Sequence, residues 1–186
     1  MKPARVLGWA VLGQLCFLAA SGVYLFFNYR PTASGARFDF GPGNNSAAVR
    51  VAQNMRALHH LDSWLVIGTA LALGVVVVVE HRVRTWDALH SWAILGACLV
   101  ASITGALLPW DQLGLFSVTV GTNLSGYRPL FDNKARFVLL GGSEINIETI
   151  QRWMVVHVVV GLVVMGGAVL LLLRARGTSG VNRLSD

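Results

Sequence analysis

The chain has 186 residues, of which 54% are hydrophobic and 13% charged, and a formal net charge of +6. That much apolar content with so few charges excludes both an ordinary water-soluble domain and a disordered chain. The basic residues are dense in three short segments and similarly numerous but sparser, mixed with acids, in the two long connections; with no basic stripe interleaved with aromatics, no nucleic-acid surface is expected.

Four apolar stretches follow one another: Leu7–Phe27, Leu65–Val79, Trp92–Leu108 and Met154–Leu173. About 20 mainly apolar residues are needed to cross a bilayer as a helix. The first and last stretches reach that length directly, and the second and third do so with their amphipathic flanks. The start, "MKPARVLGWAVLGQLCFLAASG", also has the basic head and apolar middle of a secretory signal. The run continues through "VYLFF" with no clean A-x-A site, which favours a spanning helix. Next comes "NYRPTASGARFDFGPGNNSAAVR", a connection rich in Pro, Gly, Asn and Ser that reads as a loop. The link between the second and third runs is short. The link between the third and fourth is long, and its semi-apolar pieces "LGLFSVTVGTNL" and "KARFVLLGG" predict short helices on the membrane surface. The expected architecture is an all-α membrane protein, a four-transmembrane-helix bundle. Its helices are predicted at about 6–28, 54–80, 88–108 and 152–173, within one domain over 1–176 followed by a polar tail over 177–186.

Lys2 and Arg5 precede the first helix, Arg82 and Arg84 lie between the second and third, and Arg174, Arg176 and Arg183 follow the fourth. The positive-inside rule then places both termini in the cytoplasm of a multi-pass plasma-membrane protein. Cys16 and Cys98 fall inside predicted helices and read as buried free thiols; no C-x-x-C-H run is present for covalent haem attachment.

The segment "RALHHLDSWLVIGTALALG" puts His59 and His60 at the outer end of the second helix, and His157 lies near the outer end of the fourth. Ionisable side chains in a bilayer are functional candidates, and histidine is a common axial ligand of haem iron. Two readings remain open on these residues alone: interfacial histidines bonded to carbonyls or water, or two imidazoles clamping one planar metal macrocycle. Gly22 and Gly105 lie at the same depth, where a haem between helices needs backbone without side chains, although small residues also serve ordinary helix packing.

Longer motifs bear on that choice. "SGVYLFFNYRPT", "RALH", "GALLPWDQLGLFSVTVGTNL" and "GGSEINIETIQRWMVVH" occur in order along nearly the whole chain. Together they resemble the N-terminal, haem-bearing part of cytochrome b, found in quinol–cytochrome c reductases and as the split cytochrome b of photosynthetic bf complexes. The resemblance implies a haem-binding bundle with His59 and His157 as axial ligands of haem b. It sets Arg56 near a haem propionate through the R-x-x-H match, with Gly22 and Gly105 beside the haem. His60 points about 100° around the helix from His59 and does not share its iron. Asp62 is a candidate for orienting either histidine. The family's quinol site implies Trp110, Asp111, Val118 and Gly121 as possible quinone contacts, the alternative being that they only cap the bundle.

The chain also departs from the pattern. The family carries a second pair of histidines fourteen or fifteen residues further along the same two helices, about 21 Å deeper and on nearly the same face. Those positions here are Leu73 and Leu171 or Leu172. No Cys, Met, His or Lys in "VIGTALALGVVVVV" replaces them, Met165 lies about two turns away, and His81 and His90 lie too far out. Ser91 takes the place of the family's inner glycine on the third helix, while Gly8 matches that on the first. One haem near the outer face and none near the inner face is expected. That implies an electron relay between the quinone pool and an outer-face redox partner, together with a partner membrane subunit, and no catalysis by this chain alone. The alternative function is a haem-less transmembrane scaffold of an oxidoreductase complex.

Overall fold

The structure is a computed structural model that describes residues 3–29, 47–79, 85–109, 111, 112, 114, 116, 117 and 147–181. Among them the secondary structure is helical with no strand: α1 (Pro3–Asn28), α2 (Ala47–Val79), α3 (Thr85–Leu107) and α4 (Ile147–Val181). At 1.5 Å per residue these helices run from about 35 to 52 Å, against a hydrocarbon core of about 30 Å. All four are long and apolar enough to cross a membrane.

Local chemistry accounts for the elements. Pro3 opens α1, where a missing N–H costs nothing. Glu148 sits in the first turn of α4, against the positive end of the helix dipole. Hydroxyls of Ser21, Ser63, Thr69 and Thr104 fold back on preceding carbonyls, as Thr69 does to Leu65 O at 2.8 Å, which satisfies their O–H groups within the helix. The helices are apolar on nearly every side, and large side chains such as Phe17, Leu65, Ile103, Leu162 and Val163 face outward. An exposed apolar surface of that extent fits lipid and not water.

Each helix packs on two others, in the order α1–α2–α3–α4 and back to α1. The end of α1 meets the beginning of α2 at Ser21 and His59, and the end of α3 meets the beginning of α4 at Ala101 and His157, so consecutive helices run in opposite directions. The diagonal pairs, α1 with α3 and α2 with α4, face each other across the axis. One half of the bundle is filled by an apolar cluster from all four helices: Val11 and Leu15; Val66, Ala70, Leu73 and Val77; Ile94, Leu95 and Cys98; Val164, Ala168 and Leu171. At Gly74 the backbone approaches so closely that an added Cβ would lie 3.4 Å from the Trp92 ring. The other half holds the histidines.

The helix limits differ from those read off the apolar runs. α2 begins at Ala47, inside the stretch that reads as loop, and α3 begins at Thr85. α4 starts at Ile147 and runs to Val181, through the first five residues of the expected polar tail. Hydropathy marks where a helix leaves the membrane, whereas caps and breakers end the helix itself, and "RARGTSGV" contains no proline. Cys98 is buried as expected, but Cys16 is exposed on the outer side of α1. The expected surface helices in the third connection lie mostly outside the described residues.

Candidate cofactor site between α2 and α4

His59 and His157 come from diagonally opposed helices and meet inside the bundle, with ring centroids 6.3 Å apart and ring planes at 64°. Imidazole nitrogen binds a first-row metal such as zinc at about 2.0–2.1 Å. Two imidazoles on opposite sides of one such ion, with about 1.1 Å more from each nitrogen to its ring centre, place the centroids about 6.2–6.4 Å apart. The observed 6.3 Å falls within that range.

Hydrogen bonds fix which nitrogen is free. His157 Nδ1 lies 2.9 Å from Ala101 O. A carbonyl only accepts, so Nδ1 carries the proton and Nε2 keeps its lone pair. His59 Nδ1 lies 2.8 Å from Ser21 Oγ. That hydroxyl already donates to Phe17 O at 2.7 Å, with Leu18 O at 3.2 Å, so it accepts from His59. Thr104 Oγ1 behaves alike on α3: it donates to Val100 O at 2.9 Å, with Ala101 O at 3.0 Å, and lies 3.3 Å from His157 Nδ1. Both imidazoles thus turn Nδ1 toward an acceptor, the arrangement seen in metal-binding histidines, whose other nitrogen meets the metal. Among the described residues no cluster of three or more His, Cys, Asp or Glu could hold a metal ion.

The glycines lie at the rings. A Cβ on Gly22 would sit 3.5 Å from His59 Cε1, an ordinary contact. A Cβ on Gly105 would sit 2.7 Å from His157 Cε1 and 3.1 Å from Nδ1, closer than real packing permits. Each glycine follows the hydroxyl residue that braces the ring, Ser21–Gly22 on α1 and Thr104–Gly105 on α3. These braces were not singled out in the sequence, although the paired "SG" and "TG" at matching depth were a usable signal.

Other polar groups lie near the pair in sequence or on the same helices. Trp153 lies one turn before His157 on α4, and its Nε1 is buried with no hydrogen-bond partner. An indole N–H is a donor only, so this edge of the site offers a hydrogen bond to an acceptor such as a carboxylate. Asp62, one turn after His59, keeps Oδ2 buried and unpartnered, as Gln14 keeps Oε1. Ser21, and not Asp62, therefore orients His59. Arg56, half-buried three residues before His59, acts electrostatically on Tyr29. Burial pushes the Tyr29 phenol up to about 12, with the Arg56 charge opposing the shift. Its hydroxyl donates to Leu108 O at 2.5 Å and ties the end of α1 to the end of α3. His60 is exposed and stacks edge-on with Trp64 at 6.3 Å between centroids, away from the site.

Of the possible quinone contacts, Trp110, Val118 and Gly121 lie outside the described residues. Asp111 is exposed, and its Oδ1 accepts the Gly114 N–H at 2.9 Å, closing the turn that follows α3.

At the opposite end, the positions fourteen residues beyond each histidine are packed with aliphatic side chains. Leu73 is 2% and Leu171 8% exposed, both within the apolar cluster, and Ser91 is fully buried. The side chain of Leu172 lies outside the described residues. The residues present at this end do not fit a second axial pair.

Comparison with known proteins agrees with this architecture. The family profile described as "Cytochrome b(N-terminal)/b6/petB" matches residues 80–184, more than half of the chain. Cytochrome b6 of Heliobacterium mobile is 27% identical over 187 residues, covering 90% of this chain and 83% of that protein. The menaquinol:cytochrome c reductase cytochrome b subunit of Bacillus subtilis is 27% identical over 167 residues, covering 86% and 74%. Cytochrome b6 of Gloeobacter violaceus is 29% identical over 149 residues, covering 77% and 68%. The chain therefore belongs to the cytochrome b N-terminal/b6 family, multi-pass membrane proteins of electron transfer whose prosthetic group is haem b.

Proposed function

We propose that this protein is a single-haem electron-transfer subunit, holding one haem b between His59 and His157. The observation that carries the proposal is the 6.3 Å separation of two rings whose Nδ1 atoms are both tied to acceptors. Bound there, the haem supplies a one-electron ferric/ferrous couple. The protein's own part is to hold two neutral imidazoles in one tautomer and to keep Gly105 clear of the ring. It also offers the Trp153 N–H and the Arg56 charge at the entrance, where an acidic haem substituent would lie. With His59 and His157 both holding the group, the site would leave no open position for a substrate and would serve electron transfer alone.

The aliphatic cluster at Leu73 and Leu171 supports a single haem in place of the family's two. Basic residues at Lys2, Arg5, Arg82, Arg84, Arg174, Arg176 and Arg183 support a cytoplasmic location for that end and an outer-face location for the histidine end. The relay is then confined to the outer half of the membrane, so this chain alone does not pass electrons to the inner face. By analogy with the menaquinol:cytochrome c reductase subunit of Bacillus subtilis, the electron donor or acceptor in the membrane is a quinol or quinone. The other end of the relay is a redox protein at the outer face, reached within a complex containing further membrane subunits. Trp110, Asp111, Val118 and Gly121 contribute to the quinone contact.

Purified protein tests this. A sharp α-band in the reduced spectrum, lost on His157→Ala, is expected. A wild-type protein without that band would favour a structural subunit with no haem.

A further inference from the structure

The two axial histidines are braced unequally. His157 Nδ1 donates to a main-chain oxygen, Ala101 O, at 2.9 Å, and the Thr104 hydroxyl stands further off at 3.3 Å. No side-chain substitution removes that carbonyl. His59 Nδ1 instead depends on a side chain, Ser21 Oγ at 2.8 Å, and no other hydrogen bond to that ring is present among the described residues. Ser21 is 3% exposed, and its proton is engaged by Phe17 O at 2.7 Å. It has no freedom to reverse the bond, and no water is at hand in the bilayer to replace it. We propose that Ser21 is the positioning residue for the α2 axial ligand, holding His59 in the Nδ1–H tautomer and setting its donor strength toward iron. This rests on the single-haem reading above and goes beyond it by assigning control of the redox centre to α1.

The physical consequence is directional. An Nδ1–H that donates to oxygen makes the imidazole more basic at Nε2. A more basic ligand favours the ferric ion, which carries the extra positive charge, so the bond holds the midpoint potential down. Without it the ring is free to turn or to change tautomer, and ferric binding weakens first. Loss of such a partner lowers metal affinity about ten- to a hundredfold. A tenfold loss confined to the ferric form raises a one-electron midpoint by about 59 mV.

The test uses the full chain in mild detergent, comparing wild type with Ser21→Ala, Ser21→Cys, Ser21→Thr and Thr104→Ala. Haem content, the midpoint of the α-band and the g-values of the ferric protein are measured on each. Ser21→Ala and Ser21→Cys, whose thiol is only a weak acceptor, are expected to keep the bis-histidine band while raising the midpoint and shifting the largest g-value. Ser21→Thr, which keeps a hydroxyl, is expected to restore both. Thr104→Ala is expected to move the midpoint less than Ser21→Ala, because Ala101 O remains. Midpoints and g-values of Ser21→Ala and Ser21→Cys equal to wild type would overturn the assignment, as would a larger shift from Thr104→Ala. A wild-type protein with no α-band would instead remove the haem reading itself, a distinct result read before any variant is compared.

Discussion

His59 on α2 and His157 on α4 hold their ring centroids 6.3 Å apart, each with its Nδ1 bonded to a neighbouring helix. On the proposed single-haem reading, replacing either ring by alanine removes one of two axial donors. His59→Ala and His157→Ala should each lose the sharp reduced α-band, and imidazole added to either variant should restore part of it by entering the vacated space. A band that survives either substitution unchanged would show that another residue binds the iron.

The two site glycines make a contrast that packing alone decides. An added Cβ at Gly22 meets His59 at 3.5 Å, whereas at Gly105 it meets His157 at 2.7 Å. Gly→Ala inside a helix gains roughly 1 kcal/mol from backbone entropy, while overpacking costs about 1–3 kcal/mol. Gly22→Ala should therefore keep its haem and melt at or slightly above the wild-type temperature. Gly105→Ala should lose haem and melt lower. Equal behaviour of the two variants would contradict the close ring contact.

Asp62 keeps a buried carboxyl oxygen without a partner inside a bilayer-spanning helix. An unsatisfied buried polar group costs about 1–3 kcal/mol. Asp62→Ala, which deletes the group and improves helix propensity, should raise stability to denaturant in detergent by about 1–2 kcal/mol. Destabilisation would show that the carboxylate has a partner in the assembled protein.

At the entrance of the site the Tyr29 phenol donates to Leu108 O, and burial lifts its ionisation from 10.0 to about 12. The folded state then holds this proton more tightly than the unfolded chain does. Its contribution to stability is complete below pH 10 and is lost as pH rises toward 12. Ultraviolet titration should show one of the chain's three tyrosines ionising well after ordinary phenols, and Tyr29→Phe should abolish that late step. The variant should also lose about 1 kcal/mol of stability at neutral pH, from the missing bond between α1 and α3. A titration with no late step that Tyr29→Phe removes would contradict the burial.

The four spans were legible in the sequence because a bilayer demands long apolar runs and forbids unpaired backbone. The motifs at Arg56–His59, Leu108–Gln112 and Arg152–His157 carried the family. Helix ends were less legible: Ala47–Gln53 follows a Pro- and Gly-rich stretch that reads as loop, and Arg174–Val181 is polar with two glycines, yet neither segment contains proline and both are helical. The bracing of the histidines was hidden for a different reason. Ser21 lies 38 positions from His59, and Ala101 56 from His157. One brace is a main-chain oxygen that leaves no mark on residue type, and the other is a serine that also serves as an ordinary backbone-bonded hydroxyl in a membrane helix. Asp62 shows the converse error. Its closeness in sequence to the histidines suggested a bond that the bundle makes instead to another helix.

The balance between the two ends of the bundle is the centre of the account: axial imidazoles at one, and Leu73 and Leu171 packed among aliphatic side chains at the other. Pyridine haemochrome absorbance measured against protein concentration by amino-acid analysis counts haem per chain directly. The account predicts one. A value of two would mean that the leucine end opens to admit a second haem, and a value of zero that the histidine pair holds none.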